Sequence, residues 1–354
     1  MAELTISIDA MGGDHGPPVI VPGVAAAAKL YPGVKFLLHG DEAQIAPVLA
    51  RCPAARAASE LRHTDTFITM DDKPAHAMRR GKGTSMWNAV EVLRESQADA
   101  AVSAGNTGAL MAISMLILRL ADGIHRPAIV ASWPTMRGIT AVLDVGANVE
   151  SDAEQLVEFA IMGAAFHHAV HGSKRPTVGL LNVGSEEQKG HEEVREAHAL
   201  LRATKLDLDY RGFVEGNDIA KGTVDVIVTD GFTGNITLKA AEGLARFFTK
   251  ELKSTLTSGP VATLGALIAS GALKKMRARL DPGAVNGGPL LGLNGIVVKS
   301  HGGADANGFA SAIRVAVELA RSDFAAEIDR NMKRLTVAVG EPAPEGALSE
   351  PTPP

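Results

Sequence analysis

The chain has 354 residues, of which 46% are apolar, 21% charged and 4% aromatic, with 37 glycines, 18 prolines and one cysteine. That composition excludes a disordered chain, a collagen and a disulfide scaffold, and the length allows one large α/β domain or two ordinary ones. A net charge of −5 argues against nucleic acid as a partner, because such proteins carry a basic excess. Cys52 has no partner for an internal disulfide, which fits a reducing compartment. The first residues, Met-Ala-Glu-Leu-Thr, lack the basic leader of a signal peptide. The longest apolar runs, Gly108–Leu118 and Val261–Leu273, fall short of the roughly 20 residues a membrane span needs.

In chain order, short Val- and Ile-rich runs alternate with helical periodicity. A strand over Leu4–Ile8 leads through Asp9-Ala-Met-Gly12-Gly13-Asp14-His15 into a helix over Pro18–Leu30. Gly12 and Gly13 permit close backbone approach to a ligand, and free N–H groups at such a turn hold an anion. Asp9, Asp14 and His15 add chemistry that a plain tight turn does not need. After a strand over Val34–Leu38, the cations Arg79, Arg80 and Lys82 precede a helix over Ser85–Glu95. They suit a phosphate or an acidic partner, or form a solvated basic loop. The strand Ala100–Ser103 runs through Gly105-Asn106-Thr107-Gly108 into the helix Thr107–Leu120. Its amides point at an anion or a carbonyl oxygen, or Asn106 or Thr107 simply caps the helix.

Strands over Ile129–Ser132 and Thr140–Asp144 come next, then Asp144-Val-Gly146-Ala-Asn148 and a helix over Asp152–His171. Asp144 and Asn148 either orient a partner or bond the turn backbone. The strand Val178–Asn182 opens onto Gly184-Ser-Glu186-Glu187-Gln-Lys189-Gly190, followed by a helix over Glu192–Arg202. Lys189 offers a point charge to phosphate or to a developing oxyanion, or it pairs with an acid at the surface. The strand Val224–Thr229 meets Asp230-Gly-Phe-Thr-Gly234-Asn235 and the long helix Asn235–Leu256. Asn235 or Thr233 caps that helix, or Asn235 donates its amide to a reacting carbonyl. Last, the strand Ile296–Lys299 leads through Ser300-His301-Gly302-Gly303 to the helix Asp305–Arg321. His301 is an acid/base, an anion donor or a solvated loop residue.

This alternation predicts a three-layer α/β/α sandwich with a mostly parallel sheet and right-handed crossovers, its ligands bound beyond the carboxyl ends of the strands. The shared position of the glycine loops after strands marks a single anion-binding edge. Residues 1–339 read as one α/β catalytic domain, and residues 340–354 as a disordered Pro-rich tail. A helical hairpin protrudes at about 253–288. Its apolar residues Val261, Leu264, Leu267 and Ile268 are followed by Lys274, Lys275, Arg277 and Arg279. Such a segment lies against anionic lipid, or forms a buried hairpin or a dimer contact.

Several signatures are missing. No Gly-x-Gly-x-x-Gly follows the first strand, and neither Gly-x-x-x-x-Gly-Lys-[Ser/Thr] nor Gly-x-Ser-x-Gly occurs. His167 and His171 share a helix face near a helix end, where the dipole favours them, so no metal site is expected.

The ordered set Asp-Ala-Met-Gly-Gly-Asp-His, Ser-Ala-Gly-Asn-Thr-Gly-Ala, Leu-Asp-Val-Gly-Ala-Asn, Leu-Leu-Asn-Val-Gly-Ser-Glu-Glu-Gln-Lys-Gly, Phe-Val-Glu-Gly-Asn-Asp, Asp-Gly-Phe-Thr-Gly-Asn and Lys-Ser-His-Gly closely resembles the bacterial acyl-ACP:phosphate acyltransferase family. The resemblance runs from about Thr5 to about Glu318; the stretch Arg80-Gly-Lys82-Gly83-Thr84-Ser85 departs from a more lysine- and serine-rich pattern. It implies reversible transfer of a long fatty acyl group from acyl carrier protein to inorganic phosphate. It further implies a product that feeds the membrane glycerol-3-phosphate acyltransferase, and a cytoplasmic homodimer at the inner face of the membrane. A fold related to phosphotransacetylase and the isocitrate/isopropylmalate dehydrogenases follows from it, with no cofactor or metal.

Phosphate itself attacks in such a reaction, so the chain needs an anion site and an oxyanion donor but no nucleophile. On this reading Lys189 neutralises phosphate, Asn235 or Asn106 polarises the thioester carbonyl, and His15 or His301 handles protons. Substrate contacts then fall to Asp9, Gly12, Gly13, Asp14, Lys82, Ser85, Gly105, Thr107, Asn148, Gly184, Glu187, Asp230 and Gly234. Arg79, Arg80 and Lys82, or the Lys274–Arg279 cluster, suit docking of an acidic carrier. A phosphotransacetylase acting on acyl-CoA is the competing enzyme, and an acyl-binding scaffold the non-catalytic alternative.

Overall fold

The computed structural model describes residues 4–279 and 282–340. Its organising element is an eleven-stranded sheet. One half is parallel: β1 (Thr5–Asp9), β2 (Lys35–Gly40), β3 (Ser59–His63), β4 (Ala100–Ser103) and β11 (Ile296–Lys299). The other half is parallel too: β6 (Ile139–Leu143), β9 (Val226–Val228), β7 (Thr177–Leu181) and β8 (Asp209–Val214). β10 (Gly288–Leu291) and β5 (Ala128–Pro134) join the halves, in the order β3-β2-β1-β4-β11-β10-β5-β6-β9-β7-β8.

β10 is antiparallel to both β11 and β5, and β5 is antiparallel to β6. Two reversals return β5 to the direction of β11, and the third leaves β6 to β8 running the opposite way. Carboxyl ends of the two halves therefore lie at opposite edges of the sheet. This corrects the expectation of one shared edge for all the glycine loops. The β5–β6 reversal follows from chain length. The turn closed by Thr135 N–H to Gly138 O at 2.7 Å is far too short for a parallel crossover of a dozen or more residues.

Alternate residues of each strand face opposite layers. Ala100, Val102 and Val298 face α1 (Pro17–Leu30), α7 (Ala153–His171), α13 (Ala306–Arg321) and α14 (Phe324–Gly340). Ala101 and Val297 face α5 (Ser85–Arg94) and α6 (Thr107–Leu118) through Met86, Val90, Leu110 and Ile113. That is the three-layer sandwich the alternation predicts. Three strands escaped the sequence reading. β3 and β8 are edge strands whose mixed polar sequences, Ser-Glu-Leu-Arg-His and Asp-Tyr-Arg-Gly-Phe-Val, lack the apolar run of a central strand. β10, only four residues long, begins at Gly288, where the expected hairpin ends, and is too short to show a periodicity of its own.

From that hairpin region the structure builds α10 (Gly231–Leu256), α11 (Pro260–Ile268) and α12 (Ser270–Arg279). α10 begins four residues earlier than expected because Asp230, not Asn235, caps it: Oδ1 accepts the N–H of Thr233 at 2.8 Å. These helices bury little; Phe247, Phe248, Leu264, Leu267 and Ile268 are exposed, and Val261 is 85% exposed. No helix among the described residues is long and apolar enough to cross a membrane. The Pro-rich tail from residue 341 lies outside the described residues, whereas Gly340 ends α14.

Candidate active site

Three glycine loops converge at the carboxyl ends of β1, β4 and β11. A Cβ on Gly12 would lie 2.6 Å from the amide nitrogen of Gly105 and 2.7 Å from Oδ2 of Asp9. At Gly13, where φ is +83°, it would lie 2.9 Å from the carbonyl oxygen of Gly302. The backbones approach too closely for any side chain, which is why these positions are glycine. The N–H of Asp14 donates to Gly302 O at 3.0 Å, tying the first loop to the third.

Beneath them lies the wholly buried Asp9. Its carboxylate accepts the hydroxyls of Ser85 at 2.7 Å and Ser103 at 2.6 Å, and Ser103 Oγ in turn accepts the N–H of Gly105 at 3.0 Å. Burial pushes the Asp9 carboxyl above its usual range, while the two serine hydroxyls pull it back. Asp9 and Ser85 are thus occupied in bracing the loops. His15 and His301 line one crevice with Gly12, Ala104 and Gly302, of about 10 Å³, room for a single water. His301 Nδ1 accepts the N–H of Gly303 at 3.1 Å, and the backbone N–H of His301 donates to Asn286 Oδ1 at 3.0 Å. Asn286 also donates to Ser300 Oγ at 2.8 Å and Gly308 O at 2.7 Å, pinning the third loop. Only spatial proximity reveals that role.

Asn106 is a structural residue. Its Oδ1 accepts the N–H of Ala109, capping α6, and its amide donates to Met70 O at 2.8 Å and Asp72 O at 2.9 Å. Both amide hydrogens are spent on backbone, so the expected role in polarising a thioester falls away. Thr107 is exposed at the first turn of α6. Thr84, in the stretch that departs from the family pattern, caps α5 and donates to Gly81 O at 2.6 Å. Lys82 is exposed in the same loop.

The remaining candidates gather at the opposite strand ends. Asp144 is fully buried after β6. Its Oδ1 accepts the N–H groups of Ile129, Gly146 and Ala147 within 3.0 Å, and Oδ2 accepts both the backbone and side-chain amides of Asn148 at 2.7 and 2.9 Å. Burial raises the Asp144 carboxyl, and the N–H groups oppose it. Asn148 also donates to Pro127 O at 2.7 Å, so it locks the turn and does not reach for substrate.

α10 sits on this turn backbone to backbone: a Cβ on Gly231 would lie 2.5 Å from Asp144 Oδ2, and one on Gly234 would overlap Asp144 O. That packing, not a ligand, explains Gly234, and capping explains Asp230. Asn235 is exposed and lies against Gly146, whose Cβ would fall 3.0 Å from Asn235 Nδ2.

Lys189 lies after β7. It pairs with Glu186 at 2.9 Å, which raises its pKa, and its stem packs against Gly184; Glu187 faces Arg202 at 3.5 Å. Five strand spacings separate β7 from β11, about 24 Å across the sheet. The partners that Lys189 has, Glu186 and Gly184, belong to its own loop and not to the Gly12–Gly105 cradle. The lysine at that cradle is Lys299, at the end of β11, whose Nζ donates to Ala104 O at 3.3 Å and to Ser300 O. In the sequence Lys299 only closes an apolar strand, and nothing in its letters distinguishes it from an ordinary strand-end residue. α10 carries the second group toward the first: Lys239, one turn beyond Asn235, lies close enough to Lys299 to depress its pKa.

A larger cavity of about 730 Å³ lies at the amino ends of β6, β7 and β9 and is lined by none of the candidate residues. Its histidines serve the fold: His167 Nε2 bonds Ile139 O at 3.1 Å, and His171 Nε2 bonds Ser132 Oγ at 3.0 Å, with burial holding His171 down to about 3. No group of three or more metal-ligating side chains occurs among the described residues.

Residues 4–327 match the family model described as fatty acid synthesis protein. The phosphate acyltransferase of Caulobacter vibrioides is 78% identical over 334 residues, covering 94% of this chain and 93% of that protein. The phosphate acyltransferase of Phenylobacterium zucineum is 61% identical over 345 residues, 98% of each chain. Among solved structures, a phosphotransacetylase from Streptococcus pyogenes superposes with a TM-score of 0.62 at 17% identity, covering 90% of this chain and 94% of that one. EutD phosphotransacetylase from Staphylococcus aureus gives 0.59 at 16%, with the same coverage. These two likenesses establish a shared fold.

Proposed function

This chain belongs to the phosphate acyltransferase family, enzymes that move an acyl group onto phosphate for lipid synthesis, and from that premise we propose that its donor is a long-chain thioester of acyl carrier protein. The observation that carries the reading is the convergence of the Gly12–Gly13, Gly105 and Gly302 backbones over Asp9, a cradle that no side chain fills. The N–H groups of Gly12 and Gly13 are the ones left for a tetrahedral oxyanion, since those of Gly105 and Asp14 are taken by Ser103 Oγ and Gly302 O. A phosphate oxygen attacks the thioester carbonyl, the C–S bond breaks, and the proton of hydrogen phosphate passes to the departing thiolate. Products are acyl phosphate and free carrier thiol. No protein nucleophile takes part. Asn235, exposed at the first turns of α10, supplies the amide that stabilises the carbonyl oxygen, and His15 and His301 stand beside the loops that receive the phosphate.

The exposed apolar side chains of α10, with Phe247 and Phe248 among them, support a homodimer contact. Those of α11, followed by Lys274 and Lys275, support peripheral contact with anionic lipid at the cytoplasmic face, where the product would pass to the glycerol-3-phosphate acyltransferase. Arg79, Arg80 and Lys82 are a docking surface for the acidic carrier.

The test offers long-chain acyl carrier protein and acyl-CoA separately and measures release of free thiol with and without phosphate. Phosphate-dependent release from the carrier is the expected result; release from acyl-CoA alone assigns a different donor, and no phosphate dependence overturns the reading. Ile268→Glu should weaken binding to anionic vesicles while leaving turnover in solution intact, and unchanged binding refutes the membrane contact.

A further inference from the structure

Lys299 occupies an unusual place for a lysine. It closes β11 opposite Ser103, and the next residue, Ser300, donates its N–H to Ser103 O at 2.9 Å. The Nζ therefore lies in the seam between β4 and β11. Both of its protein acceptors are backbone carbonyls, those of Ala104 and Ser300. The Ala104 carbonyl belongs to the cradle: it lies 3.5 Å from a Cβ built on Gly13 and 3.6 Å from one built on Gly302. An ammonium has three N–H donors, so one remains to be directed elsewhere. No carboxylate is among its hydrogen-bond partners; Asp9 is occupied by two serine hydroxyls, and Asp14 acts on Lys299 only through its field. A half-buried cation held by carbonyl dipoles, with a donor to spare and a second cation, Lys239, within electrostatic reach, is a site prepared for an anion.

We propose that the Lys299 ammonium receives the reacting inorganic phosphate in the cradle formed by Gly12, Gly13, Gly105 and Gly302. The proposal rests on the reading of this chain as an acyl-thioester:phosphate acyltransferase, and it names the cation of that site. Asp14 at the rim is compatible with it: hydrogen phosphate keeps one O–H at neutral pH, and a carboxylate is its natural acceptor. Burial pulls Lys299 down to about 8, with Asp14 and Asp9 opposing, so the group is mostly charged at pH 7.

The experiment compares wild type, Lys299→Met and Lys299→Arg as full chains, titrating phosphate at saturating acyl donor. Methionine keeps the length and removes the charge. The KM for phosphate should rise at least tenfold and kcat/KM for phosphate should fall about 100-fold, the scale of a lost charge-assisted contact. The KM for the acyl donor should not move, and arginine should restore part of the loss. A wild-type phosphate KM in Lys299→Met, or a change confined to the acyl donor, overturns the proposal. A second measurement needs neither a variant nor turnover. Wild-type protein is acetylated with a lysine-directed reagent, and labelling of Lys299 is followed by peptide mass spectrometry. Inorganic phosphate should slow labelling of Lys299 relative to chloride at equal ionic strength; an unchanged rate overturns the proposal. Protection without phosphate-dependent turnover would uphold the site and sink the acyltransferase reading, so the two failures are distinguishable.

Discussion

Replacing Gly234 by alanine sets two effects against each other inside one helix. In an exposed helix interior the change stabilises by about 1 kcal/mol, because glycine loses more backbone entropy on folding. At Gly234 the added methyl would overlap Asp144 O and lie 3.0 Å from its carbonyl carbon and 3.1 Å from Thr229 Cγ2. Two of these three atoms are backbone, and the Asp144 turn cannot give way, because its carboxylate holds Ile129, Gly146, Ala147 and Asn148 at once. Relief must come from lifting the first turn of α10. Overpacking of this kind costs about 1–3 kcal/mol, and backbone overlap belongs at the upper end. Net destabilisation of about 2 kcal/mol follows, a fall of several degrees in Tm. Lifting α10 also moves Asn235, so turnover should drop by about tenfold to a hundredfold, the cost of an ångström of misplacement. Thermal melts by circular dichroism and the phosphate-dependent thiol-release assay measure both. A Tm equal to or above wild type, with full turnover, refutes the packing argument.

Asn106→Ala should cost about 2 kcal/mol, from a lost helix cap and two lost latches to Met70 and Asp72, yet lower turnover less than tenfold. A drop of 100-fold or more in a fully folded variant would restore Asn106 as an oxyanion donor. His39 is 2% exposed, and burial, aided by the Arg62 charge, lowers its pKa from 6.5 to about 4. The unfolded chain therefore takes up this proton first, and stability falls as pH drops from about 6.5 to about 4, then levels. The integrated loss is about 3 kcal/mol. His39→Phe should remove that part of the acid limb in urea midpoints compared at about pH 7.5 and about pH 4.5; an acid limb identical to wild type locates the sensitivity elsewhere.

Much of this protein is legible from its residues alone. Hydrophobic periodicity placed the central strands and the long helices, because burial on two faces leaves a continuous apolar run and a helix leaves a 3.6-residue one. Glycine after strands marked the loops, since close backbone approach excludes every other side chain. The edge strands β3 and β8 were illegible for the same reason in reverse, as half-exposed pairing leaves no apolar run. Periodicity is also blind to strand direction. The antiparallel insertion of β10 and β5 divides the glycine loops between opposite edges of the sheet, so Lys189 and Lys299 follow strands of opposite direction, and it is Lys299 whose contacts lie in the Gly12–Gly105 cradle. Side-chain availability was beyond the sequence too. Asn106 and Asn148 look like Asn235 as letters, but the first two spend their amides on backbone carbonyls and a buried carboxylate, whereas Asn235 stands exposed on α10. Residue type determines what a group can donate or accept. Only the fold decides whether a neighbour has already taken it.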